Sequence, residues 1–193
     1  MSQQLIFATQ NPNKVKEIRH ALKDRFEVQS LDSKGYKEDL PETGHTLEEN
    51  ALQKARFVYG HFGVDCFADD TGLIVYALEG RPGVNSARYA GEEKSAEKNM
   101  AKVLAELESH VNRRAEFRTV IALIQNCREF LFEGVIKGSI LKKRAGKEGF
   151  GYDPVFKPAG YDLSFAQMDL DAKNTLSHRA LAVNKLVEFL AKG

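Results

Sequence analysis

Five short polar segments of the chain carry side chains that suit phosphates, a metal ion and a base better than a protein core. They read TQNPNK at 9–14, LPETG at 40–44, FADDTG at 67–72, GFGYDP at 149–154 and NTLSHR at 174–179. Each lies at the end of an apolar run, where a strand or helix would end. They supply carboxylates for a divalent cation, lysines and helix-start amides for phosphates, and aromatic, His and Arg side chains for a base. The combination predicts a site for a nucleoside triphosphate and a metal ion.

The segment FADDTG places two adjacent carboxylates directly after residues of a buried type. Asp69 and Asp70 would repel each other and resist burial unless a cation were present. On an extended strand they would point to opposite faces, so that only one would face a given site directly. A hairpin turn over residues 69–72 is the alternative interpretation. The sequence leaves both interpretations open.

Glu42, in the loop LPETG, is the second predicted metal ligand. Mg²⁺ is usually held by one or two carboxylates together with substrate phosphates, because it retains several waters. By itself Glu42 would be an ordinary solvated loop residue, so its assignment depends on Asp70. Lys54, on the helix that follows, would lie near the same carboxylates if that helix packed against the sheet. A solvated helix lysine is the alternative.

The segment TQNPNK joins a predicted strand to a predicted helix, with Asn11 as the N-cap and Pro12 in the first turn. Free amides at a helix start attract phosphate oxygens, and Lys14 would add a full charge. Taken alone, this segment is better explained by an ordinary cap with a solvated lysine. The pattern GxxxxGK[ST] is absent, which disfavours a P-loop NTPase.

The last two segments predict contacts with the nucleoside. Glycines in GFGYDP let the backbone approach a ligand, and Phe150 and Tyr152 could sandwich a base, although aromatics that fill the core are the alternative. His178 and Arg179 lie at a predicted helix start, where basic residues are unfavourable. That cost indicates a function, and both can donate hydrogen bonds to a carbonyl. The basic run LKKRAGK at 141–147 is a solvated loop or a weak steering patch for anions.

Composition narrows the class of protein. The 193 residues fit a single domain, 1–193, and 28 basic against 27 acidic residues disfavour a protein that coats nucleic acid or membrane. Cys66 and Cys127 lie in apolar stretches without metal-ligand spacing, which predicts buried, reduced thiols. Neither a membrane-spanning run nor a signal peptide is evident, so a cytoplasmic location is expected.

The order of predicted elements indicates an α/β domain with a mixed sheet. Helices are expected after Asn11, after the capping box of Thr46 and Glu49, after Ser95 and after Ser177. A glycine-rich loop region is expected over 138–160, and the first helix is expected to end at residue 24. The predicted strands lie at 5–8, 26–31, 64–68, 73–78, 116–124 and 129–136, the last two forming a hairpin.

The chain resembles the inosine/xanthosine triphosphate pyrophosphatase family nearly from end to end. The matching stretches, in family order, are FATQNPNK, LPETGHTLEENALQKA, FADDTGL, PGVNSARYAG, GFGYDPVF and KNTLSHRALA. The resemblance implies an elongated mixed β-sheet flanked by helices, two lobes with a central cleft, and a homodimer. It also implies Mg²⁺-dependent hydrolysis of purine nucleoside triphosphates such as ITP, dITP and XTP to the monophosphate and pyrophosphate, which cleanses the nucleotide pool.

The resemblance also assigns roles to residues of this chain. Asp70 is implied as the proton acceptor and, together with Glu42, as a ligand of Mg²⁺. Arg88 is left as a secondary candidate. The residues implied to bind the purine nucleotide are Thr9, Gln10, Asn11, Pro12, Asn13, Lys14, Lys54, Thr71, Phe150, Gly151, Tyr152, Asp153, Lys173, His178 and Arg179.

Three other functions remain open at this stage. A regulatory module could hold a triphosphate without cleaving it, although so many carboxylates near an anion argue against binding alone. A nucleic-acid-binding module is disfavoured by the balanced charge. A pyrophosphatase acting on pyrimidine or methylated nucleotides stays possible within the enzyme class.

Overall fold

The computed structural model describes residues 4–22 and 27–192. Within these ranges the helices are α1 (Pro12–Leu22), α2 (Leu47–Phe62), α3 (Ala96–Glu106), α4 (Leu170–Leu176) and α5 (His178–Leu190). The strands are β1 (Gln4–Phe7), β2 (Glu27–Ser30), β3 (Cys66–Val75), β4 (Pro82–Gly83), β5 (Arg114–Gln125), β6 (Arg128–Ile140) and β7 (Phe156–Pro158). None of the described helices is both long enough and apolar enough to cross a membrane.

The strands form one mixed sheet in the order β2-β1-β3-β5-β6-β7, and β4 pairs with β3. β1 runs parallel to β2 and β3, whereas β3–β4 and β6–β7 are antiparallel. The predicted α/β class with a mixed sheet is therefore confirmed. The chain divides into two compact units. Unit 1 takes the described residues of 1–70, 119–134 and 179–193, and unit 2 takes 71–118 and 135–178.

In unit 1 the apolar core is built on the alternation of β1 and β3. Leu5 and Phe7 of β1 and Phe67 of β3 belong to one buried cluster with apolar residues of α1 and α5. The rings of Phe7 and Phe67 stack with their centroids 4.6 Å apart. Cys66 points the other way, because its thiol donates to the carbonyl of Ala55 in α2 at 3.3 Å. The face of β3 that carries Phe67 thus meets α1 and α5, and the opposite face meets α2.

Unit 2 has a core of its own. Leu73 and Val75 from β3 pack with Met100 and Val103 from α3 and with Phe156 from β7. The cluster also contains Phe117, Tyr152 and Phe165. These aromatic side chains are contributed by segments distant in sequence.

The helix starts predicted from local sequence are confirmed. Asn11 accepts from the amide of Asn13 at 3.0 Å, Thr46 and Glu49 form the capping box, and Ser95 caps α3. α5 begins directly after Ser177, although the short α4 before it was not predicted. Leu181 of α5 is exposed. The predicted end of the first helix at residue 24 and start of the second strand at residue 26 lie outside the described residues.

Two predictions about strands were wrong. Residues 69–72 neither break the chain nor form a hairpin turn, since β3 continues through them from Cys66 to Val75. The physical reason is that both carboxylates have cationic partners on neighbouring helices. The glycine-rich region 138–160 is also not all loop, because β6 extends to Ile140 and β7 pairs with it.

The predicted hairpin of β5 and β6 is confirmed, and it turns through two residues with positive φ, Asn126 at 49° and Cys127 at 61°. This is the pattern of a type I′ turn, whose twist matches that of the strands. Cys66 is buried, as expected, and burial raises the pKa of its thiol to about 12. Cys127 is exposed, so the prediction of a buried thiol was wrong for it.

Replacing Cys127 with glycine is expected to stabilise the protein by about 1 kcal/mol relative to Cys127→Ala, because only glycine adopts positive φ without a steric cost. Both variants remove the 3.0 Å contact between the Cys127 sulfur and the Tyr59 hydroxyl, so their difference isolates the backbone. Urea unfolding of the two variants measures it. Equal midpoints would show that the turn is not strained at this position.

Candidate active site

Asp69 and Asp70 lie on opposite faces of β3 and are paired with different helices, as their alternation in a strand requires. Asp69 accepts hydrogen bonds from Lys14 Nζ of α1 at 2.9 Å and from Arg179 Nε of α5 at 3.2 Å. Asp70 accepts from Lys54 Nζ of α2 at 3.0 Å and from Asn50 Nδ2 of the same helix at 3.3 Å. All of these residues belong to unit 1.

Asp69 is the centre of a buried ionic network. Arg179 also donates to Glu17 of α1, so its guanidinium joins two carboxylates. Burial by itself raises the pKa of Asp69, but the charges of Lys14, Arg179 and Lys54 outweigh it and hold that pKa below its usual range. The pKa of Arg179 is raised by Glu17 and Asp69 against the effect of burial. Asp69 is therefore a stable anion that ties β3 to α1 and α5.

Asp70 has a different electrostatic environment. Its ammonium partner, Lys54, is shared with Glu42, whose Oε1 lies 2.7 Å from Lys54 Nζ. Burial and the nearby Glu42 charge raise the pKa of Asp70, and the attraction of Lys54 and Lys14 offsets only part of that rise. A carboxylate with a raised pKa accepts a proton more readily than an ordinary one. Asp70 is thus the member of the pair that is suited to acid–base chemistry.

Glu42 and Asp70, which are distant in the sequence, meet at one ammonium group. On one face of β3, Lys54 pairs with Glu42 and Asp70. On the other face, Lys14 and Arg179 pair with Asp69, and Arg179 also pairs with Glu17. The carboxylate oxygens of Glu42 and Asp70 are the type of donor that a hard divalent cation such as Mg²⁺ prefers.

Two carboxylates alone do not complete a metal site. No group of three or more His, Cys, Asp or Glu side chains in the described ranges is arranged to hold a metal ion. A cation at Glu42 and Asp70 would therefore take its remaining ligands from water and from a ligand such as a phosphate, which is how Mg²⁺ is usually bound.

The start of α1 lies in the same unit and carries the predicted phosphate-binding segment. Thr9 is buried, and its hydroxyl accepts from the amide of Asn11 at 3.2 Å. Gln10 donates to the carbonyl of Glu38. Pro12 opens the helix, whose first turn contains no acidic residue, so the positive end of its dipole is not neutralised there. Lys14 follows, and burial lowers the pKa of its ammonium despite the nearby Asp69.

Unit 2 contains a second buried ion pair, between Lys173 Nζ and Asp153 Oδ2 at 2.6 Å. The same Asp153 oxygen accepts from the backbone amide of Phe150 at 2.8 Å, which closes the loop onto the pair. Lys173 Nζ lies 5.0 Å from the ring centroid of Phe150. A side chain at Gly149 would clash with Asp153, since a Cβ there would lie 2.1 Å from Oδ2. Gly151, the second glycine of this loop, has a φ of +62°, which favours glycine at this position.

The other predicted site residues of unit 2 differ in burial and in their contacts. Tyr152 is buried in the apolar core and donates to the carbonyl of Ser86 at 2.8 Å, which favours the core-filling interpretation for its ring. His178 is buried, and its ring stacks on Phe117 with centroids 4.6 Å apart. Thr71 is partly buried in β3, and Arg88 pairs with Glu92 at 3.3 Å.

The unfavourable position of Arg179 at a helix start has a structural explanation, since its charge is met by Glu17 and Asp69. Its contacts favour the role of holding Asp69, and the assignment of His178 and Arg179 to a base stays a prediction.

The fold is α/β, and unit 1 contains both a cluster of Glu42, Asp70 and Lys54 and the start of α1, an arrangement of groups that suits a metal ion and phosphates. The chain belongs to the Ham1 family, whose model matches residues 5–189. It is 54% identical over 189 residues to a protein of Porphyromonas gingivalis and 50% identical over 188 residues to one of Christiangramia forsetii, both named dITP/XTP pyrophosphatase. These matches cover 97% of this chain and 97% and 99% of the two relatives, respectively.

Solved structures agree with this placement. A HAM1 protein from Coxiella burnetii matches with a TM-score of 0.90 and 36% identity, covering 99% of this chain and 100% of that one. A structure titled nucleoside-triphosphatase / dITP/XTP pyrophosphatase, from Mycobacterium abscessus, matches with a TM-score of 0.77 and 39% identity, covering 96% of this chain and 99% of that one. The family predicted from the sequence is confirmed.

Sequence reasoning missed Asn50 and Glu17, which touch the predicted site residues directly. A signal was present in the spacing: Asn50 precedes Lys54 by four positions, and Glu17 follows Lys14 by three. Residues at these spacings share one face of a helix. The spacing does not reveal which carboxylate or cation they meet.

Asp69→Asn is expected to lower the free energy of unfolding by roughly 3–5 kcal/mol, because it leaves the buried Arg179 and the partly buried Lys14 with too little negative charge. Urea unfolding measures this loss. Glu129→Gln is the matched control, since it breaks the exposed pair with Arg56 at 2.7 Å and should cost less than about 1 kcal/mol. Similar losses for both variants would contradict a structural role for Asp69.

Proposed function

We propose that this protein is a Mg²⁺-dependent pyrophosphatase that hydrolyses ITP, dITP and XTP to the nucleoside monophosphate and pyrophosphate. Membership of the Ham1 family and relatives named dITP/XTP pyrophosphatase support the activity and substrate class. The observation that carries the proposal is the convergence of Glu42 and Asp70 on one ammonium, that of Lys54. The proposal includes a single catalytic domain, a homodimer and a cytoplasmic location.

In this proposal the carboxylates of Glu42 and Asp70 hold the metal ion, which when bound would neutralise charge on the phosphate oxygens. A water oxygen forms a bond to the α-phosphorus, and the bond from that phosphorus to the bridging oxygen of the departing pyrophosphate breaks. Asp70 accepts the proton of the water, for which its raised pKa suits it. The ammonium groups of Lys14 and Lys54 stabilise the charge that accumulates on pyrophosphate.

The start of α1 is assigned to the phosphates, because its amides and dipole favour an anion. Phe150, Gly151, Tyr152, Asp153 and Lys173 are assigned to the nucleoside, with Thr71 as a further contact. His178 and Arg179 are assigned to the base on the family resemblance. Protein side chains that donate hydrogen bonds toward the purine 6-position would bond to the oxo group of hypoxanthine or xanthine, which accepts, but not to the amino group of adenine, which is itself a donor. Such a mismatch costs roughly 1–3 kcal/mol for each buried group left unpaired.

Incubation with ITP and Mg²⁺ is expected to release pyrophosphate over many turnovers, and dITP and XTP are expected to be cleaved as well. ATP, pyrimidine triphosphates and methylated nucleotides should be cleaved at least about 100-fold more slowly. Ion chromatography of the products, with and without Mg²⁺, measures this. Release of orthophosphate alone would contradict cleavage at the α-phosphorus. Binding of ITP without turnover would indicate the regulatory module instead.

Asp70→Asn is expected to lower kcat for ITP by roughly 10²–10⁴-fold, because the amide cannot accept the proton or bind the metal as an anion. Its unfolding midpoint should fall less than that of Asp69→Asn, because Lys54 keeps Glu42 as a partner. Steady-state kinetics and urea unfolding of the two variants give the comparison. An unchanged kcat would remove Asp70 from the catalytic role.

A further inference from the structure

The loop that carries Glu42 is held by side chains of α2 through its backbone. The amide of Thr43 donates to Gln53 Oε1 at 2.9 Å, and the amide of Gly44 donates to Asn50 Oδ1 at 2.8 Å. The next two amides, of His45 and Thr46, both donate to Glu49 Oε2. Four consecutive backbone donors of an irregular segment are thus bound by the first turns of one helix.

Asn50 joins this loop to the predicted catalytic carboxylate. Its Oδ1 accepts from Gly44, while its Nδ2 donates to Asp70 Oδ2 at 3.3 Å. The other oxygen of Asp70 is bound by Lys54, which also binds Glu42. Asn50 is buried, so its amide group has little freedom to rotate away from either partner.

Gly44 shows how closely the loop approaches the helix. A Cβ at this position would lie 2.6 Å from the Cβ of Glu49 and 2.9 Å from Oδ1 of Asn50. Any side chain at position 44 would therefore push the loop away from α2. The short distance between loop and helix is what lets Asn50 reach both the loop backbone and Asp70.

We infer that Asn50 is a positioning residue that fixes the Asp70 carboxylate and the Glu42 loop in one geometry for a divalent cation. The inference rests on the proposed function, because Glu42 and Asp70 are metal ligands only in that proposal. Asn50 bonds to the proposed ligand Asp70 and to the loop that carries the proposed ligand Glu42, but it does not itself bind the metal. Partners of this kind orient the ligands of a metal, and their loss typically costs about 10–100-fold in metal affinity or activity.

The test is a direct titration with Mn²⁺. The signal of free Mn²⁺ in electron paramagnetic resonance decreases as the ion binds, which gives the Mn²⁺ affinity, and kcat for ITP is measured on the same variants. Asn50→Leu keeps the branching at Cγ but removes both hydrogen bonds, and we expect about 10–100-fold weaker Mn²⁺ binding and a fall of similar size in kcat. Gly44→Ala disturbs the same contact from the loop and should weaken Mn²⁺ binding in the same direction while leaving the Asn50 side chain intact.

Gly60→Ala is the matched control, because Gly60 also lies in α2 and a Cβ there would meet nothing within 4 Å. It should leave Mn²⁺ affinity unchanged. All titrations use protein whose circular dichroism and unfolding midpoint confirm folding. If Asn50→Leu does not fold, Asn50→Ser and Gly44→Ala decide the question.

A double substitution separates positioning through Asp70 from general damage. In the Asp70→Asn background, Asn50→Leu should weaken the residual Mn²⁺ binding clearly less than it does in the unsubstituted protein, because the part of its effect that acts through the Asp70 carboxylate is absent and only the part that acts through the Glu42 loop remains. Equal losses of Mn²⁺ affinity in both backgrounds would overturn the inference, as would folded Asn50 and Gly44 variants with unchanged affinity and kcat. Absence of pyrophosphate release by the unsubstituted protein would instead overturn the proposed function, and the Mn²⁺ series would still decide the role of Asn50.

Discussion

The burial of two adjacent carboxylates in the middle of β3 is the constraint on which the rest of unit 1 depends. Neighbouring residues of a strand face opposite sides, so Asp69 and Asp70 cannot share one set of partners. Three helices supply the partners: α1 and α5 provide Lys14 and Arg179 on one face of β3, and α2 provides Lys54 on the other. The helices are held against the sheet by charge as well as by apolar packing, and removing one partner leaves a buried charge that the interior solvates poorly.

Identical side chains acquire different chemistry from their partners. Two cations bond to Asp69 and keep it ionised, whereas Asp70 shares the ammonium of Lys54 with Glu42 and has a raised pKa. When the environments of two titratable groups move their pKa values apart, the two groups can take different roles in acid–base catalysis. The ammonium of Lys54 brings together the carboxylates of Glu42 and Asp70, whose oxygens are the donors that a divalent cation such as Mg²⁺ prefers.

Side chains of α2 hold the irregular loop that carries Glu42 in a defined position. Asn50, Gln53 and Lys54 of α2 face one way and bind the loop of Glu42, and the capping box of Thr46 and Glu49 continues those contacts into the start of the helix. Sites supported by packed helices hold their geometry better than sites on loops alone. A loop whose backbone donors are bound by helix side chains gains that advantage.

The sequence by itself determined the features that depend on neighbouring residues: the caps at Asn11, Thr46 and Ser95, the β5–β6 hairpin, and, through the order of its motifs, the family. Only the tertiary structure decided that residues 69–72 stay extended, although two aspartates before Thr71 and Gly72 are typical of a turn. The cations that allow the strand to continue lie between 16 and 110 positions away in the chain. Helical spacing shows that Asn50 and Lys54 share a face, but the carboxylates they meet come from other elements, and only packing brings those together.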